Sequence, residues 1–155
     1  MLRNRTLIMK ITEALIAEHV VFHNLFDHVE QELPKLKTIA EVKTLARLLE
    51  AMLETHSKVE DQLLIEPLEP SFSQMGQAEN FHAEHHEIDE DLRKLKSIRR
   101  LSEAKRLLIK AVLTSRKHFD KEERIVFPLA EHQLTAKSLA LLGKRWESQR
   151  SAPIV

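Results

Sequence analysis

The stretch HSKVEDQLLIEPL occupies residues 56–68, and HFDKEERIVFPL occupies residues 118–129. In each, a His is followed four residues later by a Glu: His56 with Glu60, His118 with Glu122. An acid comes next (Asp61; Glu123), then an apolar run that ends in Pro-Leu. Residues four apart share one face of an α-helix, roughly 6 Å apart along its axis. Each His therefore points the same way as its Glu.

The duplication extends upstream. EHVVF (residues 18–22) precedes the first stretch and EHHEI (residues 84–88) precedes the second. Each half is then a helix carrying one His, a turn, and a helix carrying His-x-x-x-Glu. A helical hairpin repeated twice predicts an all-α, up-down-up-down four-helix bundle with pseudo-twofold symmetry.

Apolar spacing marks the helices. The first pattern runs through Leu7, Ile11, Leu15, Phe22, Phe26, Val29 and Leu33, and Pro34 ends it. The second runs from Val42 to Leu63 and Leu64 and stops near Pro67. EPLEPSFSQMGQ (residues 66–77), with two prolines, two serines and a glycine, is expected to be the longest loop. The third pattern runs through Phe81, Ile88, Leu92, Leu95 and Ile98. Ser102 is the expected N-cap of the fourth, which continues to Leu129 with Pro128 near its end. Thr135 is placed to cap a short fifth helix from Ala136 to about Gln149. The chain is expected to be a single domain over residues 1–155, with halves at about 8–68 and 78–132.

Composition narrows the chemistry. The chain has 155 residues, which suffices for a sizeable core. Only Gly76 and Gly143 are glycine, which favours helix over tight hairpins. Lys plus Arg equals Asp plus Glu, at 24 each, so no global charge draws the chain to nucleic acid or to a membrane. The basic stretch RKLKSIRRLSEAKR (residues 93–106) is expected to be a solvated helix end whose charge complements the helix dipole. There is no cysteine, which excludes disulfides, iron–sulfur clusters and thiolate zinc sites, and no tyrosine. The apolar run Leu7 to Met9 is too short for a signal-peptide core. A cytoplasmic protein is the resulting expectation.

Nine histidines is the unusual count. His19 falls on the stripe of Leu15, Phe22 and Phe26. His56 falls with Met52, Val59 and Leu63, and His118 with Ala111, Ser115 and Ile125. On the third helix the stripe Phe81, Ile88, Leu92, Leu95 takes in His85 and leaves His86 with Asp89, Glu90 and Arg93. His82 and His23, each one turn from an inward His, are expected to be further ligands or to orient one. His28, His86 and His132 are expected at the surface. Asp61 and Glu123, one residue past the inward Glu, are expected to face solvent or a ligand's partner.

A single His on an apolar stripe is usually a satisfied core residue, and a single His-x-x-x-Glu is a weak signal. Six such residues in matching positions of two halves are a stronger one. Neutral imidazoles and ionised carboxylates buried together are costly unless something compensates them. A pair of metal ions does so. Mixed nitrogen and oxygen donors suit iron, manganese or zinc.

The pattern Glu-His, His-x-x-x-Glu, Glu-His, His-x-x-x-Glu-Glu-x-x-x-Phe-Pro resembles the hemerythrin-like HHE cation-binding domain over about residues 8–132. The resemblance implies a non-haem di-iron centre with an oxo or hydroxo bridge, coordinated by His19, His56, Glu60, His85, His118 and Glu122. Oxygen carriers of the family have a fifth His where this chain has Phe81, and His-x-x-x-x-Asp where it has His118 and Glu122. A His82–His86 pair would serve instead only if the third helix turned off its apolar stripe. The pattern is closer to the four-His, two-Glu branch. That branch includes proteins implicated in iron-centre repair and in nitric oxide or redox responses. The implied function is to bind or react with dioxygen, nitric oxide or peroxide. The alternatives are an iron-centre repair factor or di-iron peroxidase, and a non-redox helical interaction module that holds zinc or no metal.

Overall fold

The computed structural model describes residues 8–75 and 78–151. Among them are five helices and no strand. The first, α1, is Ile11–Glu32. It opens as the Lys10 backbone N–H donates to the Glu13 carboxylate at 2.8 Å, and it closes into a 3₁₀ turn, Leu33–Lys35, that contains Pro34. The second, α2, runs over 39–75, starting from a reciprocal cap in which Thr38 Oγ1 accepts from the Glu41 N–H at 3.2 Å and Glu41 accepts from the Thr38 N–H at 2.8 Å. The third, α3, is Ala78–Leu95, and the fourth, α4, runs over 101–133. The last, α5, is Ala136–Arg150, capped by Thr135 as expected, whose Oγ1 accepts from the Ser138 N–H at 3.1 Å. Among the described residues no helix is long and apolar enough to cross a membrane.

Two expectations fail here. Residues 66–75 of the expected long loop are helical, and α2 passes through Pro67 and Pro70 (Gly76, Gln77 and the run's start at Leu7 lie outside the described residues). A proline ring normally collides with the carbonyl four residues earlier. Here α2 widens into a π-helical turn, Asp61–Ile65, in which the Glu66 N–H bonds back five residues to the Asp61 carbonyl. Pro67 follows at once. The same device recurs in α4, where Glu122–Val126 is π-helical, the Phe127 N–H reaches the Glu122 carbonyl, and Pro128 follows. The wide turn leaves room for the ring, and burial of Leu63, Leu64, Ile65 and Leu68 offsets the cost of proline within the helix. The second failure is the α4 cap. The helix begins at Leu101 with Arg100 as its extended cap residue, two positions before Ser102, and Leu101 packs partly buried against the core.

The core is split. One apolar cluster gathers Phe22, Phe26, Val29 and Leu33 with Leu49, Leu53, Ile88, Leu92, Leu108 and Phe119. The other gathers Ile11 and Leu15 with Val59, Leu64, Phe81, Val126, Phe127 and Leu139. Along every bundle helix the sequence passes from one cluster to the other: Leu15 to Phe22, Leu53 to Leu63, Phe81 to Ile88, Val112 to Val126. The inward ionisable residues between are His19; His56 and Glu60; His85; and His118 and Glu122. Five of these six are buried outright and His85 is nearly so. The bundle is therefore two hydrophobic plugs with a layer of imidazoles and carboxylates between them.

Candidate metal centre

The π-helical turns sit where this polar layer meets the second apolar plug. One extra residue in a turn rotates the following helix face by about 100°. The turn beginning at Asp61 lets α2 aim His56 and Glu60 inward and then bury Leu63, Leu64 and Ile65 in succession. In α4, Glu122 is itself the first residue of the wide turn, and Val126 and Phe127 are buried after it.

The six side chains form two overlapping groups. His19, His56, Glu60 and Glu122 make one; Glu60, His85, His118 and Glu122 make the other. Within each, one donor atom per residue lies within 4.8 Å of all the others, and both carboxylates are shared. His19 Nε2 is 3.2 Å from Glu122 Oε2, and His85 Nε2 is 3.5 Å from a carboxylate oxygen of Glu60 and of Glu122 alike. His118 Nε2 contacts Glu122, and His56 Nε2 lies 3.9 Å from Glu60.

Three of the four imidazoles are held from behind by a hydrogen bond from Nδ1, and the fourth, His85, faces an acid there without one. Glu18 accepts from His56 at 2.6 Å and Glu84 from His118 at 2.7 Å. Glu123 accepts from His19 at 2.8 Å, and Asp61 stands 3.6 Å from His85. The arrangement follows the repeat. The acid before each Glu-His histidine supports the His-x-x-x-Glu histidine of its own half, and the acid after each inward Glu faces the lone histidine of the other half. In His19, His56 and His118, with Nδ1–H donated outward, Nε2 presents a lone pair to the cavity. This is the carboxylate–histidine pairing that orients metal-ligating imidazoles.

The cavity-facing atoms supply the test of fit. His19, His56 and His118 Nε2 and both oxygens of Glu60 and Glu122 are buried and make no hydrogen bond. Buried polar atoms are normally paired. A cation among them pairs all seven at once, and mixed imidazole and carboxylate donors suit iron, manganese or zinc. Left to themselves, the groups share protons. Burial, with Glu122 adding to it, pushes the Glu60 carboxyl up. Burial also opposes the charge on Glu122, but His118, His19 and His85 together hold it well below the usual range. Burial works against a charged His85, yet Asp61, Glu122 and Glu60 outweigh it and push that imidazole up to about 12.

His85 is also the most open of the four imidazoles, with 11% of its side chain exposed. A polar cavity of about 370 Å³ reaches it, lined by Glu50, Glu54, Lys58, Asp61, Asp89 and Arg93 among others. The opposite imidazole, His19, is sealed at 0% by Phe119 and Phe127.

The remaining expected residues fall outside the cluster. His82 is exposed, beside the inward stripe and not on it. His23 is half-buried and accepts from Arg116 Nη1 at 3.2 Å, away from the six. His28, His86 and His132 are exposed, as expected. Phe81 is buried with its ring edge-on to His118. Glu18 and Glu84 were not assigned from sequence, although their place before a His in both halves was the available signal.

The chain matches the family model of the hemerythrin HHE cation binding domain over residues 10–130. It belongs to that family, whose members bind cations. Among curated proteins and among solved structures, none matches.

Proposed function

We propose that the chain holds a pair of iron ions and uses them to bind or react with a small molecule of the dioxygen, nitric oxide or peroxide class. One observation carries this reading: two four-residue groups share both buried carboxylates, and their inward atoms have no other partner. His19 and His56 would serve one ion, His85 and His118 the other, with Glu60 and Glu122 common to both. Six side chains do not saturate two six-coordinate ions, so bound iron supplies exchangeable positions where a small ligand can enter.

The protein's own part is to hold and to exclude. Glu18, Glu84 and Glu123 fix three imidazoles in the tautomer that faces inward. Phe22, Phe119 and Phe127 keep water from the His19 side, and the polar cavity at His85 is the approach for solvent and small ligands.

The test is anaerobic loading with ferrous iron followed by dioxygen, nitric oxide or hydrogen peroxide in separate experiments, read by optical absorption. New charge-transfer bands with at least one of the three are expected. Two bound irons whose spectrum ignores all three would leave the protein a cation-binding module without this chemistry.

A further inference from the structure

The two halves match in sequence and in the polar layer, but the supports of their acids differ. Glu84, behind His118, is steadied by Lys121 of the same helix, with Nζ at 2.7 Å. Glu18, behind His56, is steadied by a helix outside the bundle repeat. Trp146 Nε1–H donates to Glu18 Oε1 at 2.8 Å, and Arg150 donates from Nε at 2.7 Å and from Nη2 at 2.6 Å. The other oxygen, Oε2, takes the His56 Nδ1–H at 2.6 Å. Both oxygens of the Glu18 carboxylate are thus engaged, Oε1 by α5 and Oε2 by His56.

The seat of α5 rests on few groups. Leu139, Leu142 and Gly143 are its buried residues. At Gly143 the helix passes so close to the chain entering α1 that a Cβ would overlap the Met9 backbone carbonyl oxygen. A helix that buries only three residues, with Trp146 partly buried beside them, is among the easier elements to loosen.

We propose that Trp146 and Arg150 are positioning residues of the metal centre: through Glu18 they fix His56, so seating of α5 and metal binding by His56 are thermodynamically linked. This rests on the reading that the buried cluster holds metal. Linkage runs both ways. Loosening α5 lets Glu18 swing and weakens the ion that uses His56; filling that position tightens α5. The ion that uses His85 and His118 has no hydrogen-bonded tie of this kind to α5 and feels it only through the shared carboxylates and the common apolar cluster.

The experiment uses cobalt(II) as probe on the full chain, with stepwise affinities from chelator competition and the visible cobalt spectrum as the signature of each position. Trp146→Phe keeps an aromatic ring and removes the indole N–H; Arg150→Met removes the guanidinium; Gly143→Ala displaces α5 while leaving the Trp146 and Arg150 side chains themselves intact. Each is expected to weaken one of the two binding steps by up to about tenfold, the lower end of the range for groups that orient a metal-bound imidazole, and to move the other less. Arg150→Lys should restore part of the loss. In the wild type, the fluorescence of Trp146, the only tryptophan, should change as the affected position fills. Should Gly143→Ala not fold, the other two variants carry the test. Two wild-type cobalt ions with both affinities unmoved by Trp146→Phe and Arg150→Met, and a flat Trp146 signal, overturn the proposal. A wild type that binds no cobalt overturns the metal reading beneath it, and the two failures are told apart by that measurement.

Discussion

The imidazole of His19 lies flat against the ring of Phe119, with centroids 4.0 Å apart and planes within 9° of each other. Phe119 is one residue past His118, so α4 supplies both a candidate ligand and the wall that holds a ligand from α1. Its ring also meets Phe22, Phe26 and His56. Phe119→Ala should cost about 3–5 kcal/mol in urea unfolding, by loss of buried ring and the cavity left behind. It should also weaken metal binding, because His19 loses its backing. Phe119→Leu should cost less. Unfolding midpoints unchanged in the alanine variant would show that this packing does not hold the polar layer.

Glu60 and Glu122 occupy matching places but carry different burdens. Glu122 has three imidazoles against it; Glu60 has His85 at 3.5 Å and His56 at 3.9 Å. Burial and then Glu122 raise the Glu60 carboxyl, so its ionised form weakens the fold once pH rises above the carboxylate range. The Glu122 carboxyl is lowered, so its contribution is present above the ordinary carboxylate range and is lost as pH falls through its depressed value. In protein stripped of metal at neutral pH, Glu60→Gln should therefore raise the melting temperature. Glu122→Gln should lower stability by about 3 kcal/mol or more, since it leaves imidazolium charge unpaired. Both should lose metal. Equal and same-signed shifts of the two melting curves would contradict the asymmetry.

Proton release provides a third check. Despite burial, Asp61, Glu122 and Glu60 push His85 up to about 12, and His19 and His118 are raised as well by Glu122. The His85 proton stabilises the metal-stripped fold at all lower pH and is lost only as pH climbs toward that value. To bind metal through Nε2 the imidazole must give the proton up. Metal uptake at neutral pH should thus release at least about one proton per chain, and affinity should rise with pH. A pH indicator in weakly buffered solution measures this. Uptake without acidification would mean His85 stays out of the coordination.

The third helix offers a simple series. His85→Ala should remove or strongly weaken one ion, while His86→Ala and His82→Ala should change little, because both side chains are exposed. A larger loss from His86→Ala than from His85→Ala would place the wrong face of α3 inward.

Much of this was legible in the sequence because it is periodic. The His-x-x-x-Glu pairs, their two Glu-His partners and the apolar stripes identify the helices, the inward faces and the choice of His85 over His86. The failures have physical causes. Residues 66–75 look like a loop because proline and serine usually break helices, and nothing local announces that a π-helical turn at Asp61–Ile65 makes room for Pro67. Ser102 has the chemistry of a cap, but burial of Leu101 starts the helix sooner. His82 is one turn from His85 yet exposed, since the inward stripe of α3 runs through Phe81, His85 and Ile88. The partners of Glu18 stand 128 and 132 residues away on α5, a separation at which no spacing rule operates.

The central claim is that the layer between the two apolar plugs is a two-ion site. Anaerobic titration of stripped protein with ferrous iron, followed by elemental analysis after equilibrium dialysis, tests it most directly. The wild type should retain two ions per chain, one for each overlapping group, and the His56→Ala/His118→Ala double variant should retain almost none while still showing a helical circular-dichroism spectrum. A folded double variant that keeps both ions at wild-type affinity would place the metal elsewhere and contradict the account.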